Sequence, residues 1–364
     1  MPLRTLPNGR YLRGISTALA DVMKRREFLR VIAHLGLGAA IPVGRMPSRT
    51  GLSAPRLDAH AHVFSPSLVV RTRALIADAD IAAAVRPLDA TYVLDELDKT
   101  GVERALVLST AYVNATDVAA LGARKPSPDE YRLVRHDNDF TAAEAAKAPA
   151  RLIPFASVNP KREYALEEVK RCVERLNMRG VKLHFANSDI RLRHRQHRDR
   201  VFEIFRYAAG QNVPVVAHIH NDRLEASGAA EIEILVTDLV DRLPALRISI
   251  AHLGWGGGAG AQAQKALGTL AAAVGRWPLV AGRLWADFSG VLLTSAFPPL
   301  RSMSSAEQAS IGSVMRAWGA DRLLWGSDTI PEALKQSRAA WPLSDEEWEI
   351  VAANDGSAFL GADR

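Results

Sequence analysis

Residues 57–64 read LDAHAHVF: Leu57, Asp58, Ala59, His60, Ala61, His62, Val63 and Phe64. Two histidines one residue apart interrupt an apolar run where the first convincing core element begins. Side chains on a β-strand alternate between two faces. Asp58, His60 and His62 are therefore expected on one face, and Leu57, Ala59, Ala61 and Val63 on the other. Three polar side chains on one face of a buried strand need a partner.

Working outward, short apolar runs like this one recur along the chain. They are 56–63 (RLDAHAHV), 104–110 (RALVLST), 151–158 (RLIPFASV), 180–185 (GVKLHF), 213–220 (VPVVAHIH), 247–253 (RISIAHL), 284–290 (LWADFSG) and 322–328 (RLLWGSD). Between them lie stretches with apolar residues at three- and four-residue spacing, such as ATYVLDELDKTG, YALEEVKRCVERLN, RVFEIFRYAAGQN, EIEILVTDLVDRLP and AEQASIGSVMRAWG. The first of these ends in a glycine suited to a helix C-cap. Strands alternating with helices predict a parallel sheet with crossover helices. Eight strands in about 300 residues predict a single (β/α)8 TIM barrel rather than an open sheet. The region 111–148 is expected as a long loop with one helix on the catalytic face.

Composition is ordinary for a globular protein, 48% hydrophobic and 24% charged. The net charge of +6 is unevenly placed. Residues 1–56 carry ten Lys+Arg against two acids, and the rest carries 36 against 38. The body is thus close to neutral, and the basic pI is no argument for nucleic-acid binding. With one cysteine, Cys172, no intrachain disulfide can form.

Six of the ten histidines fall in or at the ends of predicted strands: His60, His62, His184, His218, His220 and His252. Asp328 closes the eighth. The C-terminal strand ends of a TIM barrel ring the active-site mouth. Imidazoles and a carboxylate gathered there form a ligand set for Zn²⁺ or a related divalent metal. Such a metal keeps a position open for water, lowers its pKa and orients it for attack. Asp58 is expected either to support His60 or to be a buried structural carboxylate. Ser289, at the end of the seventh strand, is a candidate substrate contact. The tract RLRHRQHRDR, 191–200, reads first as a solvated helix start and second as a lure for an acidic substrate. WGGGAGAQAQ, from Trp255, lacks the ending of a phosphate loop and is expected as an active-site loop, with Trp255 a wall of the pocket.

At these residues the chain resembles the amidohydrolase-related branch of the amidohydrolase superfamily. The shared marks are DAHAH, GVKLH, PVVAH, AHLG and LLWGSD, in that order, over residues 56–360. The resemblance implies His60, His62, His218 and Asp328 as ligands of one divalent metal, with zinc expected. It implies His252 as the catalytic histidine, with Asp328 assisting. His220 stands where that family often has glycine, which leaves open which histidine of the fifth strand binds. Lys182, with His184 and His220, is the candidate for a second metal or for substrate.

The segment from Met23, MKRREFLRVIAHLGLGAAIPVG, resembles a twin-arginine (Tat) export signal through Arg25, Arg26, Phe28 and Leu29. Residues 1–55 are therefore expected to be a leader and 56–364 the barrel, with export to the periplasm. Membrane contact is expected only through that signal. The expected partner is a small-molecule substrate. The leading functional expectation is a hydrolase acting on an amide, ester or lactone. The alternatives are a non-oxidative decarboxylase of an aromatic or unsaturated acid, and an inactive periplasmic metal- or ligand-binding protein.

Overall fold

Eight short strands pair in parallel, each with the next in sequence: β1 (Leu57–Ala61), β2 (Arg104–Leu108), β3 (Leu152–Ser157), β4 (Gly180–His184), β5 (Val215–His218), β6 (Ile248–Ile250), β7 (Leu284–Asp287) and β8 (Leu323–Leu324). Two backbone bonds bring the ends of the sheet together. Ala59 N donates to Trp325 O at 2.8 Å and Asp328 N to His60 O at 2.7 Å. The result is the expected (β/α)8 TIM barrel. This computed structural model describes residues 51–74, 86–116, 127–219, 228–254, 282–292, 304–330 and 333–361, with a few more between 268 and 280. Residues 1–50 of the expected leader, His220, and Trp255 with its glycine-rich loop lie outside the described residues.

The crossover helices follow the predicted pattern. α1 (Pro66–Arg73) starts at Ser65, whose hydroxyl accepts from Leu68 N. α2 (Ala90–Thr100) starts at Asp89 and ends at Gly101, left-handed at φ 77° as the C-cap reading requires. Then come α3 (Glu130–Ala145), α4 (Ala165–Arg175), α5 (Arg195–Gly210), α6 (Gly228–Ile234, continuing as a π-turn over Leu235–Val240), α7 (Ser305–Trp318), α8 (Ala333–Ala339), α9 (Asp345–Ala353) and α10 (Ser357–Leu360). The expected loop-with-helix after β2 is seen as a 3-10 turn, Ala111–Ala115, and α3.

The core divides into two layers. Val181, Leu183, Val215, Ala217, Leu284 and Ala286 face outward and bury the helices. Leu57, Ala59, Leu106, Leu108, Val216 and Leu324 fill the barrel floor, where Phe359 of α10 stacks beneath Phe155 and Trp285.

This division corrects one expectation. Leu57 and Ala59 face the interior, so Asp58 does not share a face with His60 and His62. It turns toward α2, lining a cleft with Ala61, Val93 and Leu97. The cause is a register shift between Asp58 and Ala61 that interrupts the alternation of β1. In β6, Ile248 and Ile250 pack outward with the helices. Strict alternation would carry His252 outward too. Instead His252 and Leu253 both adopt left-handed backbone, φ 53° each, and the chain turns back over the barrel.

Candidate metal centre

His60 and His62 stand at the end of β1, Asp328 just after β8, and one ligand atom from each fits within 4.8 Å of the others. All three are buried. Gly326 lets the chain after β8 run this close, because a Cβ there would sit 2.7 Å from His60 Cβ. Asp328, like His252, has left-handed backbone, φ 52°. Left-handed turns at two non-glycine residues of one mouth mark it as a place where folding strain is tolerated.

The hydrogen bonds assign the ring nitrogens. His62 Nδ1 donates to Leu108 O at 2.8 Å, which leaves Nε2 as the lone-pair nitrogen. His60 Nδ1 donates to Asp287 Oδ2 at 3.1 Å, again leaving Nε2 as acceptor. Burial, with Lys182 and His252 nearby, lowers the His60 pKa well below the imidazole range, so the ring stays neutral. Burial pushes the Asp328 carboxyl up, but contact with His62 and the closeness of His252 and His60 outweigh it and hold it at about 2.

His62 Nε2 and Asp328 Oδ1 lie 3.3 Å apart, yet each is buried without a hydrogen-bond partner among the described residues. A lone pair and a carboxylate oxygen aimed at one point, with the neutral His60 ring beside them, fit a divalent cation. A second grouping of His60, His252 and Asp287 does not. Its atoms are taken up with one another, since Asp287 binds His60 Nδ1 and His252 N, while His252 Nδ1 donates to Ser289 O at 2.8 Å.

The other expected residues gather around this trio in different ways. His252 lies 4.6 Å from His60, centroid to centroid, and 4.9 Å from His218. His218 is buried at the end of β5 and stacks on His184 at 4.0 Å, but it is not one of the compact trio. Lys182 is fully buried, with Nζ 3.0 Å from His60 Nε2. Burial lowers its pKa to about 8, and Asp287 and Asp328 keep it from falling further.

Asp58 is the structural carboxylate of the two expectations. Its Oδ1 accepts from His60 N at 3.0 Å and Ser327 N at 2.9 Å, stapling β1 to the chain after β8. Burial raises its pKa to about 6. Ser289, expected to contact substrate, is instead committed to holding the site: its hydroxyl donates to Asp287 Oδ1 and its carbonyl accepts from His252. The 191–200 tract opens α5, where Arg195 pairs with Asp199 and Arg200 with Glu203 on the surface, as in the first reading.

Two site residues escaped sequence reading. Asp287 links His60, His252 and Ser289, and its place after Trp285 on the inward face of β7 was the available signal. Tyr112 lies on the turn after β2, its ring 4.9 Å from His184, and nothing in AYVNA distinguishes it from a core aromatic.

Comparison with known proteins adds the following. The amidohydrolase family profile matches residues 57–360. No curated protein sequence matches the chain. Among solved structures, the 5-carboxyvanillate decarboxylase of Sphingomonas paucimobilis is similar at 18% identity and TM-score 0.57, over 85% of this chain and 99% of that one. A 2,6-dihydroxybenzoate decarboxylase in complex with 2,6-dihydroxybenzoate is similar at 17% and 0.58, over 85% and 99%. A dihydroxybenzoic acid decarboxylase from a Polaromonas species, with bound manganese and 2-nitroresorcinol, is similar at 17% and 0.56, over 84% and 97%. At these identities the likeness is one of fold.

Proposed function

The chain belongs to the amidohydrolase family, and from that premise we propose that this enzyme is a metal-dependent non-oxidative decarboxylase of a small aromatic or unsaturated carboxylic acid. The observation that carries this reading over hydrolysis is Lys182. It is a fully buried ammonium beside the ligand trio, and among the described residues no carboxylate lies within ion-pair distance of it. A buried cation of that kind suits an anionic substrate. The similar barrels named above are decarboxylases of carboxylated phenols, which supports the same alternative.

In this reading His60, His62 and Asp328 hold a divalent metal, with His218 the fourth candidate ligand. The metal supplies Lewis-acid polarisation of substrate oxygens. An imidazole-rich set favours zinc, while manganese, present in the Polaromonas decarboxylase, suits the carboxylate. Lys182 pairs with the substrate carboxylate. His252 delivers a proton from Nε2 to the carbon that bears it; the carbon–carbon bond breaks, carbon dioxide leaves, and the electron pair stays on the carbon that takes the proton. Ser289 O, accepting from Nδ1, orients the ring and stabilises its charged form.

The hydrolase expectation uses the same ligands but asks Asp328 or His252 to take a proton from water. Residues 1–55 we assign to a Tat leader and the periplasm, on the arginine motif alone.

The test is direct. Purified protein is analysed for metal, then offered 2,6-dihydroxybenzoate and 5-carboxyvanillate, and separately lactones, esters and amides, with and without chelator. Chelator-sensitive release of carbon dioxide is expected. Hydrolysis without carbon dioxide release would restore the hydrolase reading.

A further inference from the structure

Tyr112 takes no part in the network that holds the metal-site side chains, yet it stands in the same mouth. Its backbone N donates to Ser157 Oγ at 3.1 Å, and its ring is fully buried against His184. The hydroxyl is buried too and has no hydrogen-bond partner among the described residues. An unmade hydrogen bond of this kind is costly, and a hydroxyl with no partner among the described residues is open to a bound ligand. Burial, with the Asp328 charge in range, raises the phenol pKa, so the group is a neutral donor facing the site.

The neighbours indicate what that partner is. His184 Nδ1 accepts from Asn187 N at 3.2 Å, so a neutral His184 carries its proton on Nε2. Lys182, two residues back on the same strand, adds an ammonium. Three donors on the β2–β4 side of the mouth are complementary to oxygen, and best to an anionic oxygen. We propose that the Tyr112 hydroxyl donates a hydrogen bond to a carboxylate oxygen of the bound substrate, and so selects for small carboxylic acids. This rests on the reading of the mouth as a carboxylic-acid site.

Tyr112→Phe removes the hydroxyl and keeps the ring. With no partner lost among the described residues, the variant is expected to melt no lower than wild type and to bind metal at the same stoichiometry. Metal-loaded wild type and variant are then titrated calorimetrically with formate, 2,6-dihydroxybenzoate and resorcinol. Both carboxylates should bind the variant about tenfold more weakly, while resorcinol, which has no carboxylate, binds both proteins alike. Equal carboxylate affinities in the two proteins overturn the proposal. So does an equal loss for resorcinol, which would put the hydroxyl on a ring oxygen, or a fall of several degrees in melting temperature, which would reveal a partner within the chain. If formate binding depends on Tyr112 but 2,6-dihydroxybenzoate does not bind wild type, the aromatic-acid reading fails and this one stands. If wild type binds neither carboxylate, both fail.

Discussion

Asp287 accepts the Nδ1 proton of His60 at 3.1 Å, across the barrel seam from β7 to β1. That bond sets the tautomer, leaving Nε2 as the ligand nitrogen, and turns the ring toward Asp328. The same carboxylate receives the Ser289 hydroxyl and the His252 backbone N–H. It therefore couples the candidate ligand His60 to the histidine assigned to chemistry.

Replacing it should show in the metal before it shows in the fold. Asp287→Asn is expected to weaken metal affinity by about 10–100-fold, measured by competition with a chromophoric chelator. Wild-type affinity in this variant would mean that His60 is oriented by something else.

The ligand trio makes a stronger claim. His62→Ala and Asp328→Ala each remove an atom aimed at the metal position, and both should be purified largely metal-free. Dialysis of wild type against chelator should abolish activity and re-addition of metal should restore it. Full occupancy in either variant, read by elemental analysis, would show that the set has been misassigned.

His252→Asn is the informative change on β6. Asparagine tolerates left-handed backbone better than most residues, so φ 53° at this position should survive. Metal content should hold while the rate falls by about 10²–10⁴. Loss of metal in proportion to rate would make His252 a ligand.

Lys182 gives a pH signature in the metal-free protein. Its pKa falls from 10.5 to about 8 on folding. Between those values the unfolded chain holds a proton that the folded chain has released, so stability rises with pH across that window. Below it, burying the charge is a standing cost. Lys182→Met should therefore stabilise chelated protein at neutral pH, by at most about 3 kcal/mol, and remove the rise. Urea unfolding curves that coincide at pH 7 and pH 10 for wild type would show that the ammonium is not desolvated.

The leader is testable apart from the barrel. A reporter fused behind residues 1–55 should reach the periplasm, and Arg25→Lys with Arg26→Lys should stop it. Export that survives both changes would refute the Tat assignment.

Much of this centre is legible in the chain. Eight apolar runs separated by helical periodicity dictate a parallel barrel, because strands buried on both faces leave few other ways to cover the sheet. A barrel places strand ends at one mouth, so His60, His62, His218, His252 and Asp328 converge whatever the details of packing. The Gly101 cap and the Asp89 start of α2 follow from local chemistry alone.

Which way each side chain points is another matter. A period of two assigns faces only while the register holds, and two breaks in it were invisible in sequence. The shift in β1 sends Asp58 outward to α2 and keeps both histidines inward. The left-handed turn at His252 brings inward a residue that alternation with Ile248 and Ile250 would have carried out. Asp287 and Tyr112 acquire their roles only from partners far off in the chain, His60 and His184. A residue's composition and neighbours dictate the element it joins; contacts across the barrel, made after the strands have paired, decide what its side chain meets.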